Sequence, residues 1–102
     1  MITQLRAAVR AGVLQWQKHA LERMLVRGIS REAVKTAVES GEIIENYPND
    51  TPFPSVLLLG WVQTQPIHVV LSYDDVSGYA FVITAYEPDD LHFAPDRKTR
   101  LP

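Results

Sequence analysis

Apolar residues recur at three- and four-residue intervals up to Gly41, then alternate with polar ones or run together. The first pattern predicts helices and the second predicts strands. Thr3 is placed to cap a short helix from about Gln4 to Ala11, which Gly12 ends. A second helix starts near Gln17, with Ala20, Leu21, Met24 and Leu25 as its apolar stripe and Gly28 as its stop. Ser30 caps a third helix, whose first-turn Glu32 complements the helix dipole. Ile29 before that cap and Val34 beyond it have the spacing of a hydrophobic staple. Ala33, Val34, Ala37 and Val38 form its buried stripe up to Gly41.

Beyond Gly41, Glu42–Tyr47 predicts a short strand, followed by a loop in which Pro48, Pro52 and Pro54 interrupt any ladder. Ser55–Val62 is an apolar, Leu-rich run suited to a strand covered on both faces, with Gly60 expected to mark a bulge or bend. Gln63–Pro66 predicts a turn. Ile67–Tyr73 and Tyr79–Tyr86 then form a hairpin around Asp74–Gly78. Setting Tyr73 opposite Tyr79 pairs His68 with Thr84. That register sends Ile67, Val69, Leu71, Tyr73, Phe81, Ile83 and Ala85 to the core, and His68, Val70, Ser72, Val82, Thr84 and Tyr86 to the other face. Helices first and strands afterwards predict an α+β fold, with N-terminal helices packed on a small antiparallel sheet of about four strands.

Composition bounds this picture. The 102 residues suit a single domain, and 46% apolar with 22% charged residues is ordinary for a folded chain. Cysteine is absent, which excludes disulfides, thiolate metal sites and cysteine nucleophiles. No apolar run reaches membrane-spanning length, and the first residues lack signal-peptide order, so a cytoplasmic protein is expected. The formal charge of −2 conceals a division along the chain. Residues 1–38 carry a net +5, residues 39–96 a net −10 without one Lys or Arg, and residues 97–102 a net +3. A basic face on the helices is the electrostatic footprint of a polyanion or an acidic partner. The polar, proline-bearing tail after Pro88 is expected to be loosely ordered.

Gly-rich phosphate loops and nucleophile elbows are missing, and the three histidines lack metal-ligand spacing. Neither a metal nor a cofactor is expected. Two constellations remain. His19, Arg23 and Arg27 follow at four-residue intervals along the second helix, and arginine's planar fork suits phosphate. A solvated helix face is the simpler explanation of the same stripe. His68 and Tyr86, with Thr84, share the non-core face of the hairpin, where a His and a Tyr on a rigid sheet make a candidate acid–base pair. A covered face with a merely hydrogen-bonded His68 is the alternative there.

The run His19-Ala20-x-x-Arg23-Met24-x-x-Arg27-Gly28-Ile29-Ser30 resembles the opening signature of the bacterial family catalogued as domain of unknown function 4258. Gly41-Glu42-x-Ile44-Glu45-x-Tyr47-Pro48, Pro66-Ile67-His68-Val69-Val70 and Val82-Ile83-Thr84-x-Tyr86-Glu87-Pro88 are similar to it in the same order. The resemblance spans about Gln17 to Asp89, leaving 1–16 as an N-terminal helix and linker and 90–102 as a basic tail. That family looks like a distant relative of RelE/ParE and BrnT toxin-type folds. The resemblance therefore implies a RelE-like fold and a metal-independent endoribonuclease of a toxin–antitoxin pair, with RNA and an antitoxin-like protein as partners. His19, Arg23, Arg27, His68 and Tyr86 fall on its motif positions. A pI near 5.8 departs from the strongly basic character usual in RelE-type nucleases.

Two function classes follow. In the first, His68 or His19 activates a ribose 2′-hydroxyl, Arg23 and Arg27 stabilise the charged phosphorane, and Tyr86 protonates the leaving oxygen. In the second, the same fold binds without catalysis. The helix arginines then meet an acidic partner or nucleic acid, while Val70 and Val82 form a homodimer face or seat an antitoxin strand.

Overall fold

A computed structural model describes residues 1–102. Helices α1 (Ile2–Ala11), α2 (Lys18–Arg27) and α3 (Arg31–Ser40) precede strands β2 (Glu42–Tyr47), β3 (Ser55–Val62), β4 (Gln65–Tyr73) and β5 (Ala80–Tyr86). A further short strand, β1 (Leu14–Trp16), lies between α1 and α2. The sheet order is β1-β5-β4-β3-β2, antiparallel except where β1 pairs with β5 in parallel. The fold is thus α+β with a five-stranded mixed sheet. The N-terminal linker proves to hold the fifth strand, whose three residues are too short for a periodic signal.

Several local expectations hold for the reasons that motivated them. Ser30 accepts a hydrogen bond from the Ala33 N–H at 3.0 Å, and the staple residues Ile29 and Val34 are both buried. Gly28 closes α2 at φ 70°, where a side chain would be strained. Other details are corrected. Met1, not Thr3, occupies the N-cap of α1. Leu25 is 82% exposed, so the buried stripe of α2 is Ala20 and Met24 with Leu21 at its margin. Gly60 marks no bulge in its pairing with Ile67. A Cβ there would stand 2.3 Å from the Ala37 carbonyl and 2.4 Å from its Cα, so Gly60 exists to let α3 lie directly on β3.

The hairpin register is the consequential correction. Tyr73 pairs with Ala80 and Leu71 with Val82, and a bulge between Val70 and Leu71 then sets Val70 opposite Thr84 and His68 opposite Tyr86. The one-residue shift at the loop reverses the facing of the first half of β5, and the extra residue at the bulge restores that of the second. Val82 therefore joins Ile67, Val69, Leu71 and Ala85 in the helix-covered core, while Phe81 leaves that core and stacks on Phe53 with centroids 5.5 Å apart. With Val82 internal, the outer face loses half of its expected apolar docking pair. His68, Val70, Ser72, Thr84 and Tyr86 keep the assigned face.

The tail is ordered. Residues 88–102 cross the sheet face opposite the helices, with Phe93 only 3% exposed and bridged to Arg100. Lys98 pairs with Glu42 at 2.7 Å, and Arg100 binds Glu45 through two nitrogens at 2.7 and 3.1 Å. The basic end of the chain thus neutralises two acids of β2, which partly resolves the charge division seen along the sequence.

Candidate functional site

On the sheet face opposite the helices, β4 and β5 present His68, Tyr86, Val70 and Thr84 as two adjacent cross-strand pairs. His68 has 0% exposure and lies under the edge of Phe93, with ring centroids 4.5 Å apart. Its Nε2 stands 2.7 Å from the Arg97 carbonyl, which can only accept, so Nε2 carries the proton. Nδ1 is then the acceptor, 3.3 Å from the Tyr86 hydroxyl. Burial pushes the His68 pKa below its usual value, and the nearby Arg100 adds to that, against the Arg97 carbonyl and Glu45, which favour the charged ring. His68 is accordingly a neutral imidazole with both nitrogens in use. It does not open directly to solvent, so the sheet face at His68 is covered, as the alternative reading of that constellation had it.

Tyr86 is half-buried. Burial raises its pKa, and Arg100 and Arg27 oppose that shift through their positive charge. Its hydroxyl therefore stays protonated at neutral pH, with the proton directed at His68 and the oxygen lone pairs free.

Arg27 ends α2 beside the same strand. Its Nη1 donates to Thr84 Oγ1 at 3.2 Å and to the Ala85 carbonyl at 2.9 Å, on the stretch of β5 that β1 leaves unpaired. No carboxylate pairs with it, so its positive charge remains uncompensated at the rim of the Tyr86 site. The two constellations read separately in the sequence are thus joined through Arg27 and Thr84. Arg23 lies one turn earlier and exposed, also without an acidic partner. His19 is exposed two turns from Arg27, roughly 12 Å along the helix axis at 1.5 Å per residue. The fold does not bring His19 to Tyr86.

Arg100, Glu45, Tyr47 and Phe93 complete the surroundings. Glu45 takes both Arg100 nitrogens and the Tyr47 hydroxyl proton, and Arg100 stacks over Phe93 at 5.0 Å. The Arg100 guanidinium holds the Glu45 carboxyl below its ordinary range. None of these was singled out as a site residue from the sequence, where Glu45 and Tyr47 figure only as positions of a family-like motif. The available signal was complementary charge: three cations beyond Asp96 against two acids on β2. No group of three or more His, Asp or Glu side chains converges to hold a metal ion. No helix is long and apolar enough to cross a membrane.

A five-stranded α+β domain with an arginine-flanked tyrosine on its sheet is the class that fold and site define. The family model described as Domain of unknown function (DUF4258) matches residues 16–87, and the chain belongs to that family. The match includes α2, α3, the four strands β2–β5 and every residue singled out from the sequence, and it stops just before the tail that seals His68. No curated protein and no solved structure matches the chain.

Proposed function

We propose that the chain acts on RNA as a metal-independent endoribonuclease of the toxin–antitoxin kind, with Tyr86 as the group that meets the reacting ribose. The observation that carries this reading is the file Arg27–Thr84 beside Tyr86–His68 on one open strand end. Arg27 and Arg23 hold the phosphodiester. The 2′-hydroxyl gives its proton to the Tyr86 oxygen as the Tyr86 proton passes to His68 Nδ1. The 2′-oxygen attacks phosphorus, the 5′-oxygen leaves with a proton from solvent, and a 2′,3′-cyclic phosphate remains. His68 serves as the base through Tyr86, which is compatible with its burial: its second N–H stays on the Arg97 carbonyl. Tyr86 is thus the relay here, in place of the leaving-group acid expected from the sequence. Internal attack of this type requires no metal.

The test is incubation of the purified chain with single-stranded RNA in chelator, beside the same RNA carrying 2′-deoxyribose throughout. Ribose-dependent cleavage ending in cyclic phosphate supports the reading, and equal, negligible cleavage of both strands overturns it.

A second reading, a non-catalytic interaction module, is favoured by a different observation. Leu25 and Val26 are 82% and 86% exposed on α2, between Arg23 and Arg27. Adjacent apolar side chains flanked by cations suit an acidic, amphipathic protein segment. On this reading such a segment binds in 1:1 ratio, RNA is left intact, and Leu25→Ser with Val26→Ser abolishes capture.

A further inference from the structure

Beside the Tyr86 site the same sheet face opens into a cleft of about 560 Å³ that the proposed reaction does not use. Its floor is Val70 and Ser55, the end of β2 supplies Tyr47, and the loop that follows supplies Asn49 and Asp50. Tyr47 is a fixed wall, because its hydroxyl is held by Glu45 and Glu45 is held in turn by Arg100. Asp50 is fixed as well, accepting from the Thr51 N–H at 3.0 Å and from the Ser55 hydroxyl at 2.6 Å. Each carboxylate oxygen keeps a further lone pair. The lining thus combines an aromatic wall, the apolar Val70 in its floor and a rigid double acceptor, and holds no Lys or Arg. It repels phosphate and suits an uncharged planar ring that carries neighbouring N–H donors.

We infer that this cleft receives a nucleobase of the RNA, with guanine preferred. Guanine presents N1–H and the 2-amino group side by side, a match for two carboxylate oxygens. Uracil offers a single N–H between two carbonyls, which would face the Asp50 oxygens. The placement fits one nucleotide across the sheet. Val70 in the cleft floor is the registered neighbour of Thr84, about 4.8 Å away by strand spacing, and Thr84 anchors Arg27. A base against Tyr47 therefore leaves its ribose and phosphate directed toward Tyr86 and Arg27. This assignment rests on the RNA reading and adds base selectivity to it.

The experiment is an amide NMR titration of the full chain with 3′-GMP and 3′-UMP, alongside binding of an oligouridine. The expected result is shifts at Tyr47, Asn49, Asp50 and Val70, with 3′-GMP bound about tenfold or more tighter than 3′-UMP, the size of effect expected for losing a charge-assisted hydrogen bond. Asp50→Asn removes the preference. Asn49→Ala, which leaves the Asp50–Ser55 contact intact, weakens both ligands. Equal affinities, or shifts confined to α2 and β5, overturn the assignment. Oligouridine binding through Arg27 with a silent cleft would remove the base pocket and leave the RNA reading standing. 3′-GMP in the cleft without binding of longer RNA would do the reverse.

Discussion

The Arg97 carbonyl accepts the Nε2 proton of His68 at 2.7 Å, joining the buried centre of β4 to a tail segment outside the family match. Phe93 closes over the same ring, so the tail both seals the imidazole and fixes which nitrogen is protonated. Phe93→Ala should destabilise the chain by about 3 kcal/mol, the low end for losing a buried phenyl ring. Urea unfolding measures this. A change within about 0.5 kcal/mol, typical of the surface, would mean the tail does not hold His68.

The depressed pKa of His68 has a definite sign in stability. The unfolded chain takes up this proton more readily than the folded one, so stability is full above about pH 6.5 and declines as pH falls below it. Glu45, held low by Arg100, acts through a separate window, its contribution being lost only below about pH 4.3. Thermal melts from pH 7.5 to 5.5 should show a falling Tm for the wild-type chain. In His68→Asn the fall across that interval should largely disappear. An unchanged slope in the variant would assign the effect to other groups.

Gly60 tests the seat of α3 on the sheet. Gly60→Ala forces a methyl against the backbone of Ala37, which cannot swing aside as a side-chain end would. A loss of about 3 kcal/mol, the upper range for overpacking, is expected in chemical denaturation. A neutral result would contradict the close approach.

The helix-ending Gly12 and Gly28 and the Ser30 cap were legible because each acts over one helical turn, within which sequence spacing fixes geometry. Val34, Ala37 and Val38 were legible for the same reason. The facing of Phe81 and Val82 was not, because it depends on a one-residue shift at the loop that alternation cannot reveal when both residues are apolar. His68 and Tyr86 kept their common face, although not the expected pairing of His68 with Thr84, because the bulge lies between them and the turn, where its offset adds to the one-residue shift at the loop. Sealing of His68 by Arg97, 29 residues away, depends on where the tail crosses the sheet, and no local pattern encodes that.

Arg23 and Arg27 separate energetically. Arg23→Gln should leave stability within about 0.5 kcal/mol. Arg27→Gln should cost about 1 kcal/mol, because the bonds to Thr84 and Ala85 are lost. Both changes should flatten the salt dependence of RNA binding by about one counterion per contact. A salt titration in which the double variant overlays the wild type would remove the arginines from the RNA interface.

The proton path through Tyr86 is tested by Tyr86→Phe, with cleavage and binding measured on one RNA. The ring and its packing on His68 remain, and only the hydroxyl is lost. RNA affinity should stay within about twofold of wild type, while the cleavage rate falls by about 100-fold or more, the lower range for losing a positioned proton-transfer group. Undiminished cleavage by Tyr86→Phe would contradict the account, because no other group would then connect the ribose to His68.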